Sequence, residues 1–235
     1  MRMCVLLQVF SDPAVARTTS AVIKSNNFVP RERMWIRRQK VEELLKVGER
    51  IERFADSALL FAITYIFLLR LPSEALPLTA GKSSSANEIC IEEGSLVIRL
   101  ARRKNRANGS TLTRGCWCSQ SRAICPVHFV GAIICKMRSG NKLFGGKTPA
   151  RALSDLRQML ELVGTPKAKE YRCHDLRRGH ALDLQLQGTP LHEILAAGEW
   201  RSPAFLEYLD RHAAERDMVQ EAQGLCDALD SDDEE

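Results

Sequence analysis

Residues 58–69 read ALLFAITYIFLL, twelve positions without a charged side chain. A helix that is apolar on every side lies in a protein core or in a membrane. Spanning a bilayer takes about 20 such residues, so this run predicts a core helix around which the rest must pack. The first ten residues, MRMCVLLQVF, are partly apolar but carry no convincing cleavage site. The expected location is intracellular, without a membrane partner, and nuclear if the source is eukaryotic.

The surrounding periodicity extends the scheme. Trp35, Val41, Leu44, Leu45, Val47, Ile51 and Phe54 recur near the 3.6 spacing, predicting a helix over 32–55. Pro72 and Pro77 close the core helix of 56–69 and open a loop. EICIE and LVIRLA, joined by a tight turn, predict two antiparallel strands. Asn108-Gly109 marks a further hairpin leading to a third strand at 110–114. Helices are then expected at 127–138, Pro149–Leu162 and 174–187, with Gly164 and Gly188 as stops. Thr189-Pro190 and Ser202-Pro203 each read as a cap followed by proline at the first helical position. A last helix is expected at 212–226. The predicted class is mostly α with a small antiparallel β-sheet (α+β). Composition agrees: 45% hydrophobic and 27% charged residues suit a chain that buries a core. The expected organisation is an N-terminal extension at 1–37, one domain at 38–226 and an acidic tail at 227–235.

The net charge of +5 conceals an asymmetry. The tail, DALDSDDEE, holds six carboxylates and no base, so residues 1–226 carry +11. A polyanion such as nucleic acid is the natural partner of that body, with plain solubility as the other explanation. The density peaks at 99–114, where Arg99, Arg102, Arg103, Lys104, Arg106 and Arg114 occur with no acid.

Eight cysteines in 235 residues are too sparse for a disulfide scaffold. Cys116, Cys118, Cys125 and His128 follow the pattern C-x-C-x6-C-x2-H. Three thiolates and one imidazole suit a structural, tetrahedral zinc. Buried free thiols and a disulfide are the alternatives.

Four further segments hold residues that suit phosphoryl transfer: LLRLPSEALPL with Arg70, ARRKNR with Lys104, HDLRRGHA with His174 and Arg177, and GEWRSPAFLEYLD with Trp200 and Tyr208. Arg70 and Arg177 can each present a bidentate guanidinium to one phosphate. A tyrosine hydroxyl, with an ordinary pKa near 10, needs such charge to become a nucleophile. His174 can take the phenol proton, and Lys104 can protonate a leaving oxygen. None of this requires a cofactor for catalysis.

Taken in order, these segments resemble the catalytic domain of tyrosine recombinases of the phage-integrase type. SEALPL and WRSPAFLEY are most similar to the crypton-like branch of eukaryotic mobile elements. The resemblance spans about 38–212. It implies the DNA breaking-rejoining fold and catalytic roles for Arg70, Lys104, His174, Arg177, Trp200 and Tyr208, with Glu74 orienting Arg70. It further implies DNA contacts from Arg99, Arg102, Arg103, Arg106, Arg114 and Arg178. Double-stranded DNA, a protein tetramer on it, and recombination or integration through a 3′-phosphotyrosyl intermediate are the expected partners and activity. The sequence departs from the family pattern in three ways. The acidic residue follows the first arginine by four positions, at Glu74, where three is usual; Trp200 precedes Tyr208 by eight, one fewer than usual; and about 37 residues precede the domain, too few for the usual clamping domain. An inactive DNA-binding relic or regulator is therefore the leading alternative. A type IB topoisomerase-like enzyme shares the same chemistry. An RNA-binding zinc module leaves Arg70, His174 and Tyr208 unexplained.

Overall fold

The computed structural model describes residues 34–82, 87–103 and 108–200. The acidic tail, the expected helices after Ser202-Pro203 and at 212–226, and Lys104, Arg106 and Tyr208 lie outside the described residues.

The apolar run forms the expected centre. Helix α1 (Arg38–Arg50) turns Val41, Leu44, Leu45 and Val47 inward. Helix α2 (Ala55–Ile66) is buried at every position from Ser57 to Ile66. A 3₁₀ turn at Glu52–Phe54 separates the two, so the single helix expected over 32–55 breaks at Ile51, whose backbone is extended. Helices α3 (Pro149–Leu162) and α4 (His174–Leu186) complete the layer around α2, and α5 (Leu191–Gly198) packs on α4. Thr148 caps α3, its side chain accepting from the backbone N–H of Arg151 at 3.2 Å. Before α5 the arrangement differs from the expected one. Pro190 is itself the cap, with no side-chain cap bond, so the helix starts one residue later, at Leu191.

The sheet has the order β1-β2-β3-β4, with β1 (Thr79–Ala80), β2 (Asn87–Glu92), β3 (Ser95–Leu100) and β4 (Ser110–Arg114). The three later strands are antiparallel, as alternation predicts. The parallel β1 is two residues long, too short to leave a period in the sequence. Ile89, Ile98 and Leu112 lie opposite one another across the three antiparallel strands and join the main core. On the other face Arg99 reaches Glu88 and Glu92 across the β2–β3 pair.

Residues 127–138, expected as one helix, begin with a π-helical turn at Pro126–Gly131 and continue as one short α-turn, Ala132–Ile134. A wide turn follows naturally from Pro126, which has no N–H to donate to an α-helical ladder.

Helix α4 is fixed to the rest by Asp183, His180 and Gly179. Asp183 accepts from the Tyr65 hydroxyl at 2.7 Å, the Arg37 Nε at 2.7 Å and the Arg38 backbone at 2.8 Å. His180 is buried; its ring stacks on Tyr65 at 4.5 Å and its Nδ1 donates to the Tyr65 carbonyl at 2.6 Å. A carbonyl only accepts, so Nδ1 carries the proton. A Cβ at Gly179 would stand 1.9 Å from the carbonyl oxygen of Ile36, so only glycine permits this approach. Among the described residues no helix is long and apolar enough to cross a membrane.

Candidate active site and metal centre

Arg70 follows the end of α2, and its guanidinium donates to Glu74 Oε1 at 2.9 Å. Its backbone N–H donates to the other carboxylate oxygen, also at 2.9 Å. Glu74 lies in a π-helical turn, Leu71–Ala75, in which the Leu76 N–H reaches back five residues to Leu71. The wider turn accommodates the four-residue step from Arg70, and the carboxylate folds back on the arginine that precedes it. Burial alone would raise the Glu74 pKa. Bonds from Arg103 and then Arg70 outweigh it and hold the carboxyl below its ordinary value.

Arg103 departs most from expectation. Sequence reading places it among the DNA-contacting arginines; the structure buries its side chain completely. It donates to both oxygens of Glu74, at 3.2 Å each, and pairs with Glu199 at 3.2 Å. A guanidinium surrounded in this way neutralises two buried carboxylates and has no surface to offer a phosphate. Arg114 likewise turns inward: its Nε donates to the Ile66 carbonyl at 3.2 Å, at the C-terminus of α2, and it lies over the Phe67 ring. A cation there is favoured by the helix dipole. Arg99 is paired with Glu88 and Glu92, and Arg178 with Asp175 at 3.3 Å. Arg102 is exposed.

Arg177, three residues into α4, is 1% exposed. It donates to the Leu68 carbonyl at 2.5 Å and to the Gly198 carbonyl, and lies over the Trp200 ring at 4.6 Å. Both carbonyls belong to helix ends of one kind. After α2, Leu69 N–H bonds to Thr64 and Leu68 is left-handed with φ +53°; after α5, Trp200 N–H bonds to Leu195 and Glu199 is left-handed with φ +50°. These are Schellman ends without the usual glycine, a conformation that costs roughly 1–2 kcal/mol for a side-chain-bearing residue. Arg177 thus ties together the ends of two helices. At Gly198 a Cβ would stand 2.0 Å from the Trp200 ring, so the stacked indole requires glycine there.

His174 opens α4 on the solvent side. Crowding of its ring, then the charges of Arg177, Arg178 and Arg70, push its pKa down to about 4. Water still reaches the ring and screens part of this effect, but three nearby cations fix the direction. The imidazole is neutral near pH 7. Arg70, Glu74, His174, Arg177 and Trp200 therefore come from distant parts of the sequence and form one region. Lys104 and Tyr208 fall outside the described residues. Sequence reading missed Glu199 and the carbonyls of Leu68 and Gly198. Glu199 had only its position before Trp200 to mark it, and backbone acceptors leave no signature in side-chain types.

The second cluster is thiol-rich. The ligand atoms of Cys116, Cys118, Cys125 and His128 all lie within 4.8 Å of one another. His128 Nδ1 is 3.4, 3.1 and 3.5 Å from the sulfurs of Cys116, Cys118 and Cys125, and the first and last sulfurs of the C-x-C-x6-C frame, those of Cys116 and Cys125, are 3.7 Å apart. A tetrahedral zinc would set sulfurs about 3.8 Å apart and sulfur and nitrogen about 3.5 Å apart, so the set fits that ion. A disulfide needs about 2.05 Å, and the described cysteines are all free.

No known family and no curated protein matches the chain. Solved structures do. The XerH site-specific recombinase bound to its difH substrate, in a pre-cleavage complex, matches with a TM-score of 0.53 at 17% identity, over 75% of this chain and 50% of that one. The post-cleavage complex on palindromic difH matches with a TM-score of 0.53 at 17% identity, over 86% of this chain and 54% of that one. The chain thus spans about half the length of the recombinases it matches. The likeness establishes the fold: a domain about half helical with a small four-stranded sheet, built like part of that site-specific recombinase.

Proposed function

We propose that this chain breaks and rejoins DNA strands as the catalytic part of a tyrosine recombinase, in recombination or integration of a mobile element. The observation that carries the reading is the convergence of Arg70, Glu74, His174, Arg177 and Trp200 within a fold shared with a recombinase. Arg70 is aligned by Glu74 and keeps 24% of its side chain open to solvent, so it is the guanidinium that meets the phosphate. Arg177 adds its charge from beneath, held by two backbone carbonyls and the indole. In the proposed step the Tyr208 oxygen forms a bond to phosphorus while the bond from phosphorus to the 5′ oxygen breaks. The phenol proton passes to the neutral His174. The leaving 5′ oxygen takes a proton from Lys104. The product is a 3′-phosphotyrosyl link that conserves the phosphoester for rejoining, with no cofactor. Double-stranded DNA is the substrate, and self-association on two duplexes follows from strand exchange. The wording of SEALPL and WRSPAFLEY favours the crypton-like branch.

The test is a library of nicked duplexes with randomised sequence, incubated with the protein and resolved under denaturing conditions. Wild type should yield a protein–DNA adduct whose peptide carries the phosphate on Tyr208, and Tyr208→Phe should yield none. An adduct that survives Tyr208→Phe overturns the mechanism. The burial of Arg177 supports a second reading, a DNA-binding regulator that does not cut. It predicts salt-dependent binding with no adduct from any duplex.

A further inference from the structure

We infer that Cys116, Cys118, Cys125 and His128 bind one structural zinc ion, and that this ion seats Trp117 against His180, fixing the helix that carries His174 and Arg177. Four protein ligands complete a tetrahedron and leave no open position, so the ion's role is architectural. The segment it would close needs such a clasp. Between the end of β4 and the turn at Pro126–Gly131 the chain has no regular element, and Cys116, Cys118 and Arg122 are exposed. A few backbone bonds, such as Gln120 N–H to the Trp117 carbonyl at 2.9 Å, are its internal ties. Ile124 and Cys125 are buried at its end and Trp117 packs partly on the core. The exposed residues around Cys116 and Cys118 nevertheless bury little to offset the entropy of ordering them, whereas metal binding contributes directly to folding.

The consequence lies in Trp117, which stands between the first two ligands. Its backbone N–H donates to Cys125 Sγ at 3.2 Å, and its ring meets His180 edge-on at 5.6 Å. His180 stacks on Tyr65 from its other side and follows Arg177 by three residues on α4. The ion therefore holds a wedge that presses α4 against α2. With the clasp open, Trp117 has no fixed backbone from which to press.

The experiment uses the full chain without DNA, so its outcome is independent of the strand-cleavage reading. Elemental analysis of purified protein should find one zinc per chain, and cobalt exchange should give the visible absorption of a tetrahedral thiolate site. Hydrogen exchange should show the α4 amides around Leu176–Ala181 losing protection by about tenfold or more when the metal is stripped. Trp117→Ala leaves the ligands intact: it should keep the full zinc content yet lose the same α4 protection. His128→Cys should keep both. A folded protein without metal overturns the site. Metal-loaded Trp117→Ala with α4 protection equal to wild type overturns the coupling.

Discussion

Arg103 and Glu74 form a two-pronged ion pair in which neither side chain exceeds 1% exposure, and the same carboxylate also aligns Arg70. The pair joins the end of the sheet to the turn after α2, and Glu199 extends it to the end of α5. One carboxylate thus serves both the core and the candidate site.

Removing its charge should show in stability as well as in cleavage. Glu74→Gln keeps the shape but leaves two guanidinium groups without their shared counterion. Breaking one side of a buried pair costs about 3–5 kcal/mol, because the remaining charge stays buried. The expected result is a fall of that size in unfolding free energy by urea titration. A loss below about 1 kcal/mol would show the pair to be solvated in solution.

The contrast between Arg103 and Arg70 shows what the sequence made legible. Arg70, His174, Arg177 and Trp200 stand in an ordered series, and the ends of α3 follow from Pro149 and Gly164; its Thr148 cap emerges only in the structure. The strands of 87–114 follow from alternation and turn residues. Arg103 sits in a run of bases that reads as a solvated, DNA-facing hairpin, yet it is buried. Its partners, Glu74 and Glu199, are 29 positions before and 96 after it, and no local period reports a contact over such distances. The two-residue β1 and the π-helical turns were invisible for a related reason: each departs from the periods of 2 and 3.6 by which a sequence announces its elements. The Cys116–His128 set could be read at once, since metal ligands must be particular residue types at short spacing.

His180 should make the protein acid-sensitive in a definite window. Burial first, then the charge of Arg114, lowers its pKa to about 4, while in the unfolded chain it is near the ordinary 6.5. Between those values the unfolded state binds a proton that the native state refuses, so stability falls as the pH drops from 6.5 towards 4. The loss is on the order of 3 kcal/mol. Carboxylates contribute their own acid dependence, so the comparison is with His180→Gln. Wild type should be the more stable at pH 7, and its advantage should shrink by about that amount towards pH 4. A constant gap in urea titrations across this range would refute a neutral, buried His180.

The field at His174 can be tested without any DNA. Its low pKa rests on the crowding of the ring and on Arg177, Arg178 and Arg70. Arg177 and Arg70 cannot be removed without disturbing the helix ends or Glu74. Arg178 pairs with Asp175 at 3.3 Å and keeps 23% of its side chain exposed. Arg178→Gln removes one cation and leaves Asp175 less compensated; both changes favour the imidazolium. The His174 pKa should therefore rise from about 4 towards the ordinary 6.5. Proton NMR titration of the imidazole Cε1–H resonance measures it directly. An unchanged or lowered value would refute a contribution of the Arg178 charge to the His174 pKa. The upward shift carries a mechanistic consequence. A His174 that begins to protonate near neutral pH can no longer take the phenol proton, so the same variant should lose adduct formation at pH 6 while keeping it at pH 8.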